Sequence, residues 1–356
     1  MLIILCTLIL FCVLAYFAKR NHHKKNVEKF QNKECPSLVD KFGKKTWYQT
    51  DIIPVPKNSP ASLQHNNTCC IEHYTNTTKI WVYLETHYNS RDWGSFYSRS
   101  SSDVPPYIYT CVRTILQWCK KNQCNHHLQV EVLTPYNLVK FLPQLDLNIV
   151  LDKKIPLYLR KHLIATGILF HYGGIWMDPS TILLCDLRDV LKKLEFNDVV
   201  AFGCASEEYR CQNSYLRPNL QVYASKVGNN LMKQCFIDIH NHFLKNNSNF
   251  EFNNPCVEII RNNLKYFVEE GKIKYFQYSS KYNGSRDYLG KLITLDNLLS
   301  IHETRLMCDD CTFFIVIDYQ RLMLNKNLEW FRRMSEQQIL NSNLWISELF
   351  RTALSR

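Results

Sequence analysis

Apolar residues fall along this chain in two rhythms, one of period two and one of period 3.6, and their alternation predicts an α/β fold. Residues 79–85 alternate around Trp81 and Tyr83 and read as a first strand. Residues 106–121 keep helical spacing through Ile108, Val112, Ile115, Leu116 and Cys119. Residues 130–133 predict a second strand, and Asn137 reads as the cap of a helix over 138–142. The next helix runs from Leu157 to Tyr172, with Leu159, Leu163, Ile164, Ile168 and Leu169 on one face. Short apolar runs at 175–177, 182–184, 198–202, 220–224 and 313–317 read as strands. Leu231, Met232, Cys235, Phe236, Ile239 and Phe243 mark an amphipathic helix, and residues 330–356 look helical. Strand and helix in turn at these lengths predict a doubly wound sheet.

The chain is organised around residues 163–187, where an apolar helix meets Gly173-Gly174 and a short strand delivers Asp178. Two residues without Cβ allow a sharp turn or the close approach of a ligand. A carboxylate at the carboxyl end of a buried strand sits where ligands bind in open α/β sheets. Such a carboxylate can hold a hard divalent cation against a diphosphate. The plainer reading is a helix-to-strand turn in which Asp178 caps the next turn of the chain.

The run Tyr172-Gly173-Gly174-Ile175-Trp176-Met177-Asp178 resembles the signature of GT-A-fold glycosyltransferases. It is most similar to the capsular-polysaccharide-synthesis type and the DXD-containing mannosyl/galactosyltransferase-like group. The likeness extends to Lys79-Ile80-Trp81-Val82-Tyr83 upstream and to Val222-Tyr223-Ala224-Ser225-Lys226 with Asn229 downstream, about residues 79–245 in all. It implies a GT-A-like, Rossmann-like mixed sheet and transfer of a hexose from a nucleotide-sugar donor to a glycan, polysaccharide or glycoprotein acceptor. It further implies Mn²⁺ or Mg²⁺ at Asp178, the leaving diphosphate being stabilised there. Trp81, Gly173, Gly174, Trp176, Ser180 and Thr181 are the implied donor-binding residues, and Ser225 and Asn229 lie on the implied acceptor side. Two departures stand out. Ser180 occupies the second acidic position of the DXD pattern, and the Asp-x-x-Arg expected in the preceding helix falls on His162 and Ala165. Arg160 and Lys161, one turn away, are the candidate substitutes. A C-terminal loop that closes over the diphosphate would draw on Arg286, Asp287, His302 or Asp309. No nucleophile or base is assigned.

Residues 2–18 are apolar and uncharged, and as a helix they would span about 26 Å, enough for a thin bilayer. They read as an uncleaved, single-pass transmembrane anchor. Lys19, Arg20, Lys24 and Lys25 come directly after it, which favours a cytosolic catalytic domain over one in the Golgi or ER lumen. Residues 19–78 read as a basic stalk and linker, and 79–356 as the catalytic domain, with a core at 79–245 and an extension at 246–356. The chain carries a formal charge of +11, but without basic-aromatic interleaving it does not predict nucleic-acid binding. Its fifteen Cys do not settle the compartment, and sequons at Asn66, Asn76, Asn246 and Asn283 are no more than an Asn-rich chain produces by chance. Cys308 and Cys311 with His302 invite a zinc reading, though no second pair stands at ribbon spacing. Cys69-Cys70 with His73 has the wrong spacing for a common zinc site. The competing class is a membrane-anchored scaffold in which the transferase site has decayed.

Overall fold

The computed structural model describes residues 78–85, 104–122, 128–152, 154–203, 216–245, 254–308 and 311–355. The apolar segment 2–18, the basic stalk up to residue 77, Cys69-Cys70 with His73, residues 89–102 and Asp309 lie outside the described residues. Among the described residues no helix is long and apolar enough to cross a membrane.

In chain order the elements are β1 (Thr78–Tyr83), α1 (Pro106–Asn122), β2 (Leu128–Leu133), α2 (Pro135–Phe141), α3 (Leu147–Leu151), α4 (Leu157–Tyr172), β3 (Gly174–Met177) and β4 (Thr181–Leu183). They continue with α5 (Arg188–Phe196), β5 (Val199–Gly203), β6 (Pro218–Ser225), α6 (Asn230–Lys245), α7 (Pro255–Glu269), β7 (Tyr275–Tyr278) and α8 (Leu295–Leu298). The last are β8 (Phe314–Val316), α9 (Tyr319–Leu324), α10 (Glu329–Arg333), α11 (Glu336–Asn341) and α12 (Trp345–Ser355).

Six strands form one mixed sheet in the order β2-β1-β3-β6-β5-β7. Only β6 runs against its neighbours; the other pairings are parallel. Parallel neighbours need crossovers, and the helices that supply them cover both faces. Side chains of β1 and β3 therefore alternate between two cores. Ile80, Val82, Ile175 and Met177 pack with α1 and α12 on one face. Trp81, Tyr83 and Trp176 pack with α4, α6 and α7 on the other. The doubly wound mixed sheet that the apolar pattern predicts is thus present, as a GT-A-like arrangement requires. A second sheet of two strands, β4 and β8, pairs Thr181 with Val316.

Three expectations change in detail. The one helix expected over 330–356 is three within 329–355, broken where Ser335 and Ser342 leave helical backbone. The helix placed at 138–142 starts earlier, at Pro135. Thr134 is its cap, and Asn137 is the reciprocal partner, donating its N–H to Thr134 Oγ1 at 3.4 Å and accepting from Thr134 N at 2.7 Å. Residues 255–278 supply α7 and the edge strand β7 of the main sheet, which the apolar pattern did not single out.

The Gly173-Gly174 turn fixes how α4 feeds β3. Both residues have positive φ, 62° and 99°. A Cβ on Gly174 would stand 2.3 Å from the Lys79 carbonyl oxygen, and one on Gly173 would stand 2.6 Å from the Val227 amide nitrogen. What approaches these glycines is the protein's own backbone. The Trp81 indole N–H donates to the Gly173 carbonyl at 2.7 Å and satisfies a buried acceptor. Gly174→Ala is expected to lower unfolding stability by roughly 2 kcal/mol or more, since both backbone strain and a main-chain clash oppose it. Urea denaturation of the variant beside wild type checks this, and an unchanged midpoint would contradict it.

Candidate functional site

The carboxyl end of β3 opens into a cavity of about 580 Å³. That is within the usual range for a small-molecule site. Five segments line it: the first turns of α4 (Pro156 to His162), the end of β3 (Trp176, Asp178, Ser180), the start of β6 (Pro218 to Gln221), the first turns of α7 (Asn254, Val257, Arg261) and α9 with the residue before it (Asp318 to Leu324). Because β6 is antiparallel to β3, its amino end meets the carboxyl end of β3, and Asp178 N donates to Gln221 O at 2.8 Å. β8 ends beside the same point, since Ile317 N donates to Ser180 O at 3.0 Å, which brings in Asp318 and Tyr319. α4 and α7, of 16 and 15 residues, both turn their N-terminal ends toward the cavity. Their dipoles favour negative charge there.

Strand alternation points Asp178 to the same face as Trp176, toward α4. There it meets Lys161, whose Nζ donates to Asp178 Oδ2 at 2.9 Å, with side-chain exposures of only 9% and 12%. The other carboxylate oxygen, Oδ1, accepts from Ser180 N at 2.9 Å and from Ser180 Oγ at 2.6 Å. Burial pushes the Asp178 carboxyl up, but Lys161 and the Ser180 hydrogen bonds outweigh it, so the group stays below the ordinary carboxylate value. Lys161 also lies over the Tyr319 ring, 5.3 Å from its centroid. His162, half-buried on the same wall, has its imidazole pushed down to about 4 by burial, against the pull of Asp178 and with the help of Lys161. It is neutral at pH 7. Arg261 adds a second cation, tied by one guanidinium nitrogen to Glu258 at 2.9 Å.

The residues named from sequence separate into two groups. Asp178, Trp176 and Ser180 line the cavity. Trp81, Gly173 and Gly174 build the turn at the opposite end of β3 and are outside the lining. Ser225 and Asn229 also sit at that far end: Ser225 pairs with Gly174, about 13 Å along the strand from Asp178. Asn229 caps α6 by accepting from Leu231 N at 2.8 Å and donates to Asp198 O at 3.1 Å. Thr181 is fully buried, and its hydroxyl has no hydrogen-bond partner among the described residues. Of the two substitutes beside His162, Lys161 reaches Asp178. Arg160 instead pairs with Glu85 at 3.0 Å and donates to Ile155 O at 2.8 Å. Arg286 is buried and donates to Gly290 O at 2.9 Å, while Asp287 Oδ1 accepts from Leu289 N at 2.9 Å and Lys291 N at 2.8 Å. His302 is exposed, and none of these three lines the cavity. Cys308 and Cys311 are joined by a disulfide, so the zinc reading there fails for want of thiolates. Asp318, Tyr319 and Arg261 were missed by sequence reasoning. Only Asp318, as the N-cap of α9 accepting from Arg321 N at 2.9 Å, left a local signal.

The residues present do not fit a bound Mn²⁺ or Mg²⁺. A hard cation between protein and diphosphate takes one or two carboxylates, with water and phosphate oxygens completing its shell. Both Asp178 oxygens already take protein donors, one of them the Lys161 ammonium that a metal ion would have to displace, Ser180 donates its hydroxyl to Asp178, and one Asp318 oxygen caps its helix. Among the described residues no group of three His, Cys, Asp or Glu gathers.

No protein-family profile and no curated protein matches this sequence. Among solved structures, the chain is similar to the glycosyltransferase GlyE of Streptococcus pneumoniae, at 11% identity over 78% of this chain and 63% of that one, with a TM-score of 0.36. It is also similar to the galactosyltransferase LgtC, solved with donor and acceptor sugar analogues, at 10% identity over 78% of this chain and 95% of that one, again with a TM-score of 0.36. The chain therefore spans less than two thirds of GlyE's length. Likenesses this distant say nothing of substrate or mechanism.

The electrostatics of the site set two expected outcomes. His162 is held below its unfolded value of about 6.5, so the unfolded chain takes up the proton first as pH falls. Its contribution to stability is full above pH 6.5 and is lost between there and about 4. His162→Gln is expected to flatten the stability profile in that window, read by chemical denaturation at a series of pH values; an unaltered slope would contradict it. Removing one partner of the buried pair, as in Lys161→Met, is expected to cost about 3–5 kcal/mol, because a buried carboxylate is left unanswered. Lys161→Met with Asp178→Asn together should cost less than Lys161→Met alone, which a double-mutant cycle reads directly.

Proposed function

We propose that the chain is a glycosyltransferase that holds a nucleoside-diphosphate sugar in this cavity and passes the sugar to a hydroxyl of a glycan, polysaccharide or glycoprotein acceptor. The observation that supports it most is the cavity's chemistry. It lies at the carboxyl end of the central strand, is lined by Lys161, Arg261 and two helix N-terminal ends, and has apolar and aromatic walls in Trp176, Tyr158, Leu220 and Tyr319. Cations and helix dipoles suit a diphosphate, and flat apolar surfaces suit a base or a sugar face. The Tyr-Gly-Gly-Ile-Trp-Met-Asp run that resembles the glycosyltransferase signature ends on the residue at its floor.

In the reaction the anomeric carbon–oxygen bond to the diphosphate breaks and the phosphate oxygen keeps the electron pair. The acceptor hydroxyl oxygen forms the new bond, and a proton is released with the nucleoside diphosphate. The protein's part is to hold the diphosphate, orient the sugar and offset the charge that builds on the leaving group. Residues 79–356 form the catalytic unit in this reading, and the apolar segment 2–18 tethers it to a membrane as a single span, with its orientation set by the basic residues after it.

The second reading, a degenerate transferase kept as a scaffold, draws on the closed state of Asp178, whose carboxylate is already satisfied by protein groups. Release of nucleoside diphosphate from UDP-, GDP- and CDP-hexoses, with a mixed glycan acceptor panel and the full-length chain, separates the two. Turnover with at least one donor is expected, falling about 100-fold or more in Asp178→Asn. No turnover with any donor by a folded chain, or equal turnover in the variant, would favour the scaffold.

A further inference from the structure

The charge count at the end of β3 differs from that of a paired-carboxylate metal site. Two acidic side chains would bring two negative charges and need a divalent ion before a diphosphate could approach. Here Ser180 stands at the second position and spends its hydroxyl on Asp178. The Lys161 ammonium lies 2.9 Å from Asp178 Oδ2, on the oxygen a metal would have to take. Asp178 and Lys161 cancel, and Arg261 and Asp318 add one charge of each sign, so the lining carries no excess of negative charge for a metal ion to offset. A divalent ion would have to displace an ammonium or sit against it. An anion would not.

We infer that the cation facing the diphosphate is the Lys161 ammonium, oriented by Asp178, and that the donor therefore binds without a divalent metal ion. This rests on the nucleotide-sugar reading of the cavity. An ammonium has three N–H donors, and Asp178 takes one at 2.9 Å. Among the described residues the others have no hydrogen-bond acceptor and are left for phosphate oxygens on the cavity side, where Lys161 is part of the lining. A buried carboxylate fixes the lysine's position, so little reorganisation is needed when the anion arrives. Tyr319, whose ring lies 5.3 Å from the ammonium, limits where the side chain can swing.

The test is calorimetric titration of the full-length chain with UDP, GDP, CDP and ADP, once in EDTA and once in Mn²⁺. At least one nucleotide is expected to bind with the same affinity in both buffers within about threefold. Lys161→Met should weaken that binding about 10- to 100-fold, as the loss of a charged hydrogen bond does, and Lys161→Arg should recover part of it. Binding that appears only with Mn²⁺ would overturn the inference and leave the nucleotide-sugar reading standing. No binding in either buffer would overturn both. If Lys161→Met does not fold, the wild-type chain still decides the point by electron paramagnetic resonance of Mn²⁺. A stoichiometric, micromolar Mn²⁺ site overturns the inference, and none at that affinity supports it.

Discussion

A carboxylate taken out of water must be answered by a cation or by hydrogen bonds, and at Asp178 both answers are supplied. Lys161 from α4 holds one oxygen and Ser180 holds the other. This small set of contacts ties together the helix before the central strand, the strand itself and the turn into β4. Because Ser180 O also takes the Ile317 amide, the same point anchors the end of β8 and sets Asp318 and Tyr319 over the cavity. A fault at Asp178 would reach each of these elements.

The two ends of β3 divide the labour. At the amino end, positive-φ glycines let three backbone segments crowd together, and Trp81 seals the turn through the Gly173 carbonyl. At the carboxyl end the chain spreads apart, and five segments leave room for a ligand. A motif of seven consecutive residues therefore holds structural residues at its start and a ligand-facing residue at its finish.

Much of the fold could be read from the sequence because burial writes itself as periodicity. α4 was legible to its last residue, since its apolar run and the glycines after it mark both its length and its stop, although from Leu159 to Leu169 it is buried nearly all round and not on one face. β7 was not, because an edge strand of four residues with two of them half-buried leaves little alternation to see. The one long helix expected near the C-terminus became three because apolar spacing survives a break, while Ser335, which caps the second helix, and Ser342, which ends it, are easily taken for surface residues. For the site, Asp178 was legible as a carboxylate at a strand end, but the meaning of the glycines was not. Sequence shows that a close approach is allowed, and only the fold shows that Lys79 and Val227 make it. The Lys161 partnership was visible only as a guess one turn out of place, since helix phase against a strand end depends on packing. Arg261 lies 83 positions from Asp178 and carried no local mark at all.

The central claim is that a diphosphate lies against the Lys161–Asp178 pair. A crystal structure of the full-length chain with its tightest-binding nucleoside diphosphate, grown in EDTA, tests it most directly. The account expects phosphate oxygens about 3 Å from Lys161 Nζ, with the bond to Asp178 still in place. A nucleotide bound elsewhere, or one seated in the cavity with Lys161 turned away from its phosphates, would contradict it.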